Sequence, residues 1–276
     1  MSEITDAPAR TETGSAKRPL QGSHVWYELI SSDPDAAQAF YGAVVGWTIG
    51  ERLPGDQDYR MIERSDGGFA GGVLGLTDDM RQHGAKPIWL GYIGVDDVDA
   101  TVTKIEAKGG KALMPAFDIP QGRIAMVADP QGNPLYVMKP VPPEGKPEGE
   151  SDVFSTDREQ RINWNELSTP DPAAARQFYG DLFGWKSDDF MDMGEYGEYR
   201  FFDHGPTRIG AVCGVGPSST AGWRYYIRVP SISGAADNVK ANGGTISMGP
   251  HEVPGGDHII IGNDPQGAEF ALVGKQ

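Results

Sequence analysis

The sequence predicts an α+β protein of two tandem domains, each built from two β-α-β-β-β units. Three observations predict it. A fifteen-residue stretch at 33–47 returns at 171–185 with nine positions identical, and self-similarity at one long spacing marks a duplicated domain. Strand patterns and helix caps follow the same order in both halves. Asp-Pro-Gln-Gly, a tight-turn signal, stands at 129–132 and again at 264–267, each time before the last strand of its half.

The bounds set by composition agree. A chain of 276 residues suits two domains of ordinary size. The net charge of −15 argues against nucleic acid or an anionic membrane as partner, because phosphate affinity rests on Lys and Arg. Cys213 is the only cysteine, so no intrachain disulfide forms; its apolar setting reads as a small buried hydrophobe rather than a reactive thiol. The sequence lacks a run of about 18 apolar residues, and its polar start lacks the core of a signal peptide. A cytoplasmic location is the expectation.

Residues 1–20 are Ser, Thr, Ala, Pro and charge, and read as a disordered tail. Domain 1 is assigned to 21–141. Residues 25–30, Val-Trp-Tyr-Glu-Leu-Ile, suit a strand. Asp33 then caps a helix with Pro34 at its first position, where the missing N–H costs nothing. Ala37, Phe40, Tyr41, Val44 and Val45 share one helical face, Gly46 ends the helix, and Trp47 opens a strand. Further strands are expected at 59–63 and 69–76. The second unit follows: a strand at 88–95, a helix capped by Asp96 or Asp97 and ended by Gly109-Gly110, and strands at 112–118, 123–128 and 134–138. Residues 142–160, rich in Pro, Glu and Gly, read as the interdomain linker. Domain 2, assigned to 161–276, repeats the scheme: a strand at 162–167, a helix from Asp171, strands near 185, at 199–202 and at 209–215, then a strand at 223–229, a helix ended by Gly243-Gly244, and three more strands.

A strand, then Asp-Pro-x-x-Ala-x-x-Phe-Tyr-x-x-x-x-Gly-Trp, then a capped helix ending Gly-Gly, then Asp-Pro-Gln-Gly before a final strand, resembles the vicinal oxygen chelate superfamily. That superfamily includes glyoxalase I, extradiol dioxygenases, and bleomycin- and fosfomycin-resistance proteins. The resemblance covers roughly 22–141 and 161–275 and looks like a tandem, glyoxalase-like branch. It implies paired β-α-β-β-β modules curled into a half-open cup, with a divalent metal held there in the enzymes by ligands from the first strand of each module and the last strands.

The resemblance places those ligands by counting from the motifs. Fourteen residues before the Phe of Phe-Tyr stand Trp26 and Trp164. Nineteen before the Gly-Gly stand Leu90 and Arg224. Four after the turn glycine stand Tyr136 and Ala271. The fourth position, near Gly72 or Ala211, offers no carboxylate. The usual metal set is missing from both halves, so no cofactor is expected, and a divalent metal stands as the lesser alternative.

Strand alternation suggests what the cups hold instead. If Trp26 faces the cup, so does Glu28; Trp164 and Glu166 follow suit. An aromatic wall beside a carboxylate suits a small polar or cationic ligand; core packing and an Arg partner for each Glu is the bland alternative. The same parity adds Tyr92, Tyr136 and Met138 in domain 1, and Arg224, Tyr226 and Arg228 in domain 2. Those arginines could bind a carboxylate or phosphate, neutralise Glu166, or lie at an interface. The repeated Tyr59-Arg60 and Tyr199-Arg200 could line a cup as well. The five histidines are scattered without ligand spacing, with His258 the one worth checking.

Two functions stand open. One is a small-molecule binding protein that uses one or both cups without the usual metal. The other is a glyoxalase-like lyase or isomerase acting on a small carbonyl compound, with Glu28 or Glu166 as general base. An interaction protein with vestigial cups is a third. The expected partners are a small-molecule ligand, no nucleic acid and no membrane. The chain is expected to be a monomer with an internal pseudo-dimer, or a homodimer.

Overall fold

In the computed structural model, which describes residues 20–141, 151–216 and 220–276, each half forms one eight-stranded sheet. In the first half the elements run β1 His24–Ser31, α1 Pro34–Val45, β2 Thr48–Ile49, β3 Tyr59–Glu63, β4 Phe69–Gly75, α2 Asp78–Gln82, β5 Ile88–Gly94, α3 Val98–Ala107, β6 Lys111–Ile119, β7 Gly122–Ala128 and β8 Pro134–Pro140. The second half runs β9 Ile162–Thr169, α4 Pro172–Phe183, β10 Phe190–Asp192, a 3-10 turn at Gly194–Tyr196, β11 Glu198–His204, β12 Thr207–Gly214, β13 Gly222–Ser231, α5 Ile232–Ala241, β14 Thr245–Val253, β15 Asp257–Asn263 and β16 Glu269–Lys275.

The strand order is β2-β3-β4-β1-β5-β8-β7-β6, and its copy β10-β11-β12-β9-β13-β16-β15-β14. The first strands of the two modules, β1 and β5, pair antiparallel at the centre, flanked by parallel partners β4 and β8. The helices start where the sequence marks them. Asp33 and Asp171 accept hydrogen bonds from Ala36 and Ala174, and the left-handed Gly46 and Gly184 end α1 and α4.

Alternation along the strands sorts two interiors. Tyr27 and Leu29 of β1, Trp89 and Ile93 of β5, and their counterparts in domain 2 face the helices in one core that runs through both halves. Ile30, Leu90, Tyr92, Tyr136 and Met138 face the opposite side, the interior of cup 1; Tyr226, Ile261, Ala271 and Val273 do so in cup 2. The helices pack between the halves, α1 against α5 and α3 against α4. Tyr41 of α1 donates to Asp264 of the second half's turn at 3.1 Å, and Tyr179 of α4 donates to Asp129 of the first half's turn at 3.0 Å.

Four departures from the expected elements have local causes. Trp185 is buried against the helix core, and the strand expected there lies later, at β10. The short helix α2 and the 3-10 turn carry too few residues to register as periodic patterns. Cap geometry selects Asp97 rather than Asp96, through a bond from Ala100. Finally, residues 151–160 of the assigned linker pack down: Val153 and Phe154 are buried, and Asp152 bridges Arg64 and Arg161. The assigned tail apart from Leu20, and residues 142–150, lie outside the described residues.

Candidate functional site

Four strands of cup 1 bring an aromatic side chain to the surroundings of Glu28: Trp26 from β1, Tyr59 from β3, Tyr92 from β5 and Tyr136 from β8. Glu28 sits on β1, opposite Leu90 of β5 and beside Gly72 of β4. It is 3% exposed. Tyr92 of β5 donates to its Oε2 at 2.9 Å. Trp26 donates through Nε1 to the Tyr59 hydroxyl at 2.9 Å. Tyr136 of β8 stacks on Tyr92 with ring centroids 4.2 Å apart. Tyr59 reaches this position because β4 offers a glycine beneath it: a methyl at Gly72 would overlap the Tyr59 hydroxyl. Met80 and Ala85, around α2, lean on the same lining.

Burial without a cationic partner sets the electrostatics. Glu28 is pushed up to about 7, chiefly by loss of solvent, with the Tyr92 and Tyr59 hydroxyls tempering the rise. Its Oε1 has no hydrogen-bond partner. Burial and the nearby carboxyl raise Tyr59 and Tyr92 well above the usual phenol range, so both stay neutral donors. A buried carboxyl with one open oxygen, titrating near neutrality, can accept a hydrogen bond or a proton from a guest.

Cup 2 carries the same frame with the second carboxyl oxygen paired. Trp164 donates to the Tyr199 hydroxyl at 2.8 Å, and Tyr199 donates to Glu166 Oε2 at 2.7 Å. Tyr226 reaches the same oxygen at 3.3 Å. Where cup 1 has Leu90, cup 2 has Arg224, which meets Glu166 Oε1 at 2.7 Å and Glu269 at 2.9 Å. Arg228 is bound by Asp257 at 2.7 Å, which also holds Lys275. The two arginines are therefore committed to carboxylates of their own cup. Burial pushes the Cys213 thiol up to about 11, so at neutral pH it stays protonated beside Ser168.

Each residue predicted to face a cup is thus placed. Trp26, Glu28, Tyr92 and Tyr136 meet in cup 1; Trp164, Glu166, Arg224 and Tyr226 meet in cup 2, with Arg228 bound to Asp257. The tyrosines of the Tyr-Arg repeats join them, whereas Arg60 turns away to Asp35 and Asp58, and Arg200 to Glu198. His258 alternates with the cup-facing Ile259 and so lies on the other face of β15. Sequence reasoning did not single out Glu269, and it met Gly72 only as a ligand position that offers no carboxylate. A cup-facing carboxylate at the start of the last strand was the available signal for Glu269; nothing local marks Gly72 as the seat of Tyr59.

The side chains present do not suit a divalent metal. At the positions where the resemblance sets ligands, cup 1 presents an indole, an aliphatic chain and a phenol, with Glu28 the sole carboxylate. Such ions ask for three or more converging N or O donors. Among the described residues, no three His, Cys, Asp or Glu side chains converge in that way. Nor is any described helix long and apolar enough to cross a membrane.

Comparison with known proteins extends the picture. The pattern described as Glyoxalase/Bleomycin resistance protein/Dioxygenase superfamily matches residues 23–137 and 161–272. The chain is 29% identical over 256 residues to CFP32 of Mycobacterium tuberculosis, named as a candidate glyoxylase, covering 92% of this chain and 95% of that one. It is 30% identical over 124 residues to the anthracycline biosynthesis protein DnrV of Streptomyces peucetius, covering 40% of this chain and 45% of that one. Among solved structures, the Mn(II)-bound glyoxalase of Novosphingobium aromaticivorans superposes with a TM-score of 0.60 at 18% identity, over 92% of this chain and 83% of that one. A homoprotocatechuate 2,3-dioxygenase variant of Brevibacterium fuscum gives 0.63 at 17%, over 99% of this chain and 75% of that one. At such identities these structures speak for the fold.

Proposed function

Because the chain belongs to the glyoxalase/bleomycin resistance protein/dioxygenase superfamily, we propose that it binds a small molecule in cup 1, with Glu28 as the polar anchor and without the metal its relatives use. The observation that carries this reading is the open oxygen of Glu28 in a wall of Trp26, Tyr59, Tyr92 and Tyr136. A buried polar atom left without a partner is costly, of order 1–3 kcal/mol, and a guest that supplies a donor removes that cost. Cup 2 serves this reading as the satisfied copy, since Arg224 already pairs with the second oxygen of Glu166. Native mass spectrometry of purified protein, with metal analysis of the same sample, tests it. A small molecule that is retained by the wild type and lost on Glu28→Gln is the expected result. Stoichiometric metal that survives dialysis would sink the metal-free part.

One observation favours a second reading, proton transfer on a small carbonyl compound. A carboxyl that titrates near 7 is matched to a general base at neutral pH. The assay is turnover of methylglyoxal hemithioacetal, with a rate rising through about pH 7 in the wild type and abolished in Glu28→Gln. Retained ligand without turnover leaves the binding function alone.

A further inference from the structure

The two cups are the same device built twice, and their difference identifies a chemistry. In both, an indole donates to a tyrosine hydroxyl beside the glutamate, at 2.9 Å in cup 1 and 2.8 Å in cup 2. In both, a tyrosine from the central partner strand donates to Oε2, at 2.9 Å from Tyr92 and 3.3 Å from Tyr226. The register is the same as well: Glu28 faces Leu90 as Glu166 faces Arg224. What differs is the second carboxyl oxygen. In cup 2 it receives the Arg224 guanidinium at 2.7 Å; in cup 1 it receives nothing, and the residue in that place is a leucine.

We propose that cup 1 takes a small organic cation, a protonated amine or guanidine on an apolar body, whose N–H group meets the free oxygen of Glu28 as Arg224 meets Glu166 in cup 2. The inference rests on reading cup 1 as a small-molecule site and names the ligand class. Three features agree. Aromatic side chains, Trp26, Tyr59, Tyr92 and Tyr136, line the cup around the carboxyl, and cations are attracted to aromatic rings. No Lys, Arg or His side chain bonds to Glu28 among the described residues, so a cationic guest meets no competitor. The chain's net charge of −15 draws cations and repels anions at long range. An anionic guest would meet Glu28 and three phenols with no cation to hold it.

The test uses the full chain and three probes of matched shape, benzylammonium, benzyl alcohol and benzoate, in calorimetric titrations. At pH 8 benzylammonium is expected to bind at least about tenfold more tightly than benzyl alcohol, and benzoate not to bind. The titratable groups facing Glu28 are Tyr59 from β3, Tyr92 from β5 and Tyr136 from β8, all raised away from neutral pH. The affinity for benzylammonium therefore follows Glu28 alone, rising between pH 6 and pH 8. Glu28→Gln is expected to erase both the preference and its pH dependence. Leu90→Arg, which recreates cup 2, is expected to block the cation. If that variant does not fold, the Gln variant, checked by circular dichroism, decides. Benzyl alcohol binding as tightly as benzylammonium overturns the cation class and leaves the small-molecule reading standing. Failure of all three probes to bind overturns both.

Discussion

Glu28 ties the stability of the molecule to pH through a single side chain. Its folded-state value, about 7, lies above the ordinary 4.5, so the folded protein holds a proton that the unfolded chain releases. The sign follows: as pH rises from about 4.5 through 7, this group makes folding progressively less favourable, and above 7 the loss is complete. Replacing it with Gln removes the penalty. Urea denaturation should find Glu28→Gln more stable than the wild type at pH 8 by roughly 3 kcal/mol at most, and the two nearly equal at pH 4. Equal stability at both pH values would mean that the carboxyl is solvated or paired. Arg224 predicts the opposite behaviour. Arg224→Leu strands Glu166 and Glu269, to which no other described arginine bonds. Removing one member of a buried pair typically costs about 3–5 kcal/mol, and denaturation at pH 7 should show a loss of that order, smaller to the extent that the 32%-exposed Glu269 side chain stays hydrated.

At the scale of elements, helices α1 and α4 do more than cover their own sheets. Tyr41 accepts from Trp89 at 2.9 Å and donates to Asp264; Tyr179 accepts from Trp223 at 3.0 Å and donates to Asp129. Tyr41→Phe and Tyr179→Phe should each cost about 1–3 kcal/mol, since each leaves an indole N–H, buried for Trp89 and partly buried for Trp223, and a buried carboxylate short of a partner; losses below measurement error would show that these bonds add nothing. Strand β4 carries a different prediction. Gly72→Ala forces Tyr59 off Glu28, and the carboxyl should then lose a tempering donor and titrate higher, as a 13C-detected titration would read. The parts legible in the sequence were those with local signatures: the caps Asp33 and Asp171, the alternation that sends Trp26 and Glu28 one way and Tyr27 the other, and the turns at 129 and 264. The turn aspartates looked like turn formers only, because their second role needs a tyrosine from the other half, and no short-range pattern encodes that. The partner of Arg224 was equally hidden: parity placed it in the cup with Glu166, but could not decide whether it would greet a ligand or its own neighbour.

For the whole molecule, the shared core sets the cooperative unit. Phe40 of α1 packs on Phe270 of β16, Tyr27 donates to Asn165 at 2.7 Å, and the Tyr225 hydroxyl receives Gly91 N–H at 2.8 Å. Splitting the chain near the linker would expose this entire surface on each half. Calorimetry should therefore show one unfolding transition whose calorimetric and van't Hoff enthalpies agree; two resolved transitions would show halves that fold independently.

The crossed Tyr-Asp contacts have one more consequence. Because the chain carries the unit twice, its halves form a comparison of their own. On the side where the halves meet, the crossed network repeats residue for residue: Tyr41 and Tyr179, Trp47 and Trp185, Trp89 and Trp223, Asp129 and Asp264; Tyr27 with Asn165, and Gly91 with Tyr225, are matching places that differ. Inside the bowls Trp26 and Trp164, Glu28 and Glu166, Tyr59 and Tyr199, and Tyr92 and Tyr226 match as well, but other pairs part company: Leu90 with Arg224, Tyr136 with Ala271, Gly72 with Ala211, Leu74 with Cys213. In both bowls the frame around the glutamate repeats, and the residues beside it differ. An engineer could thus re-line one bowl for a new guest and leave the other, and the seam that joins them, untouched.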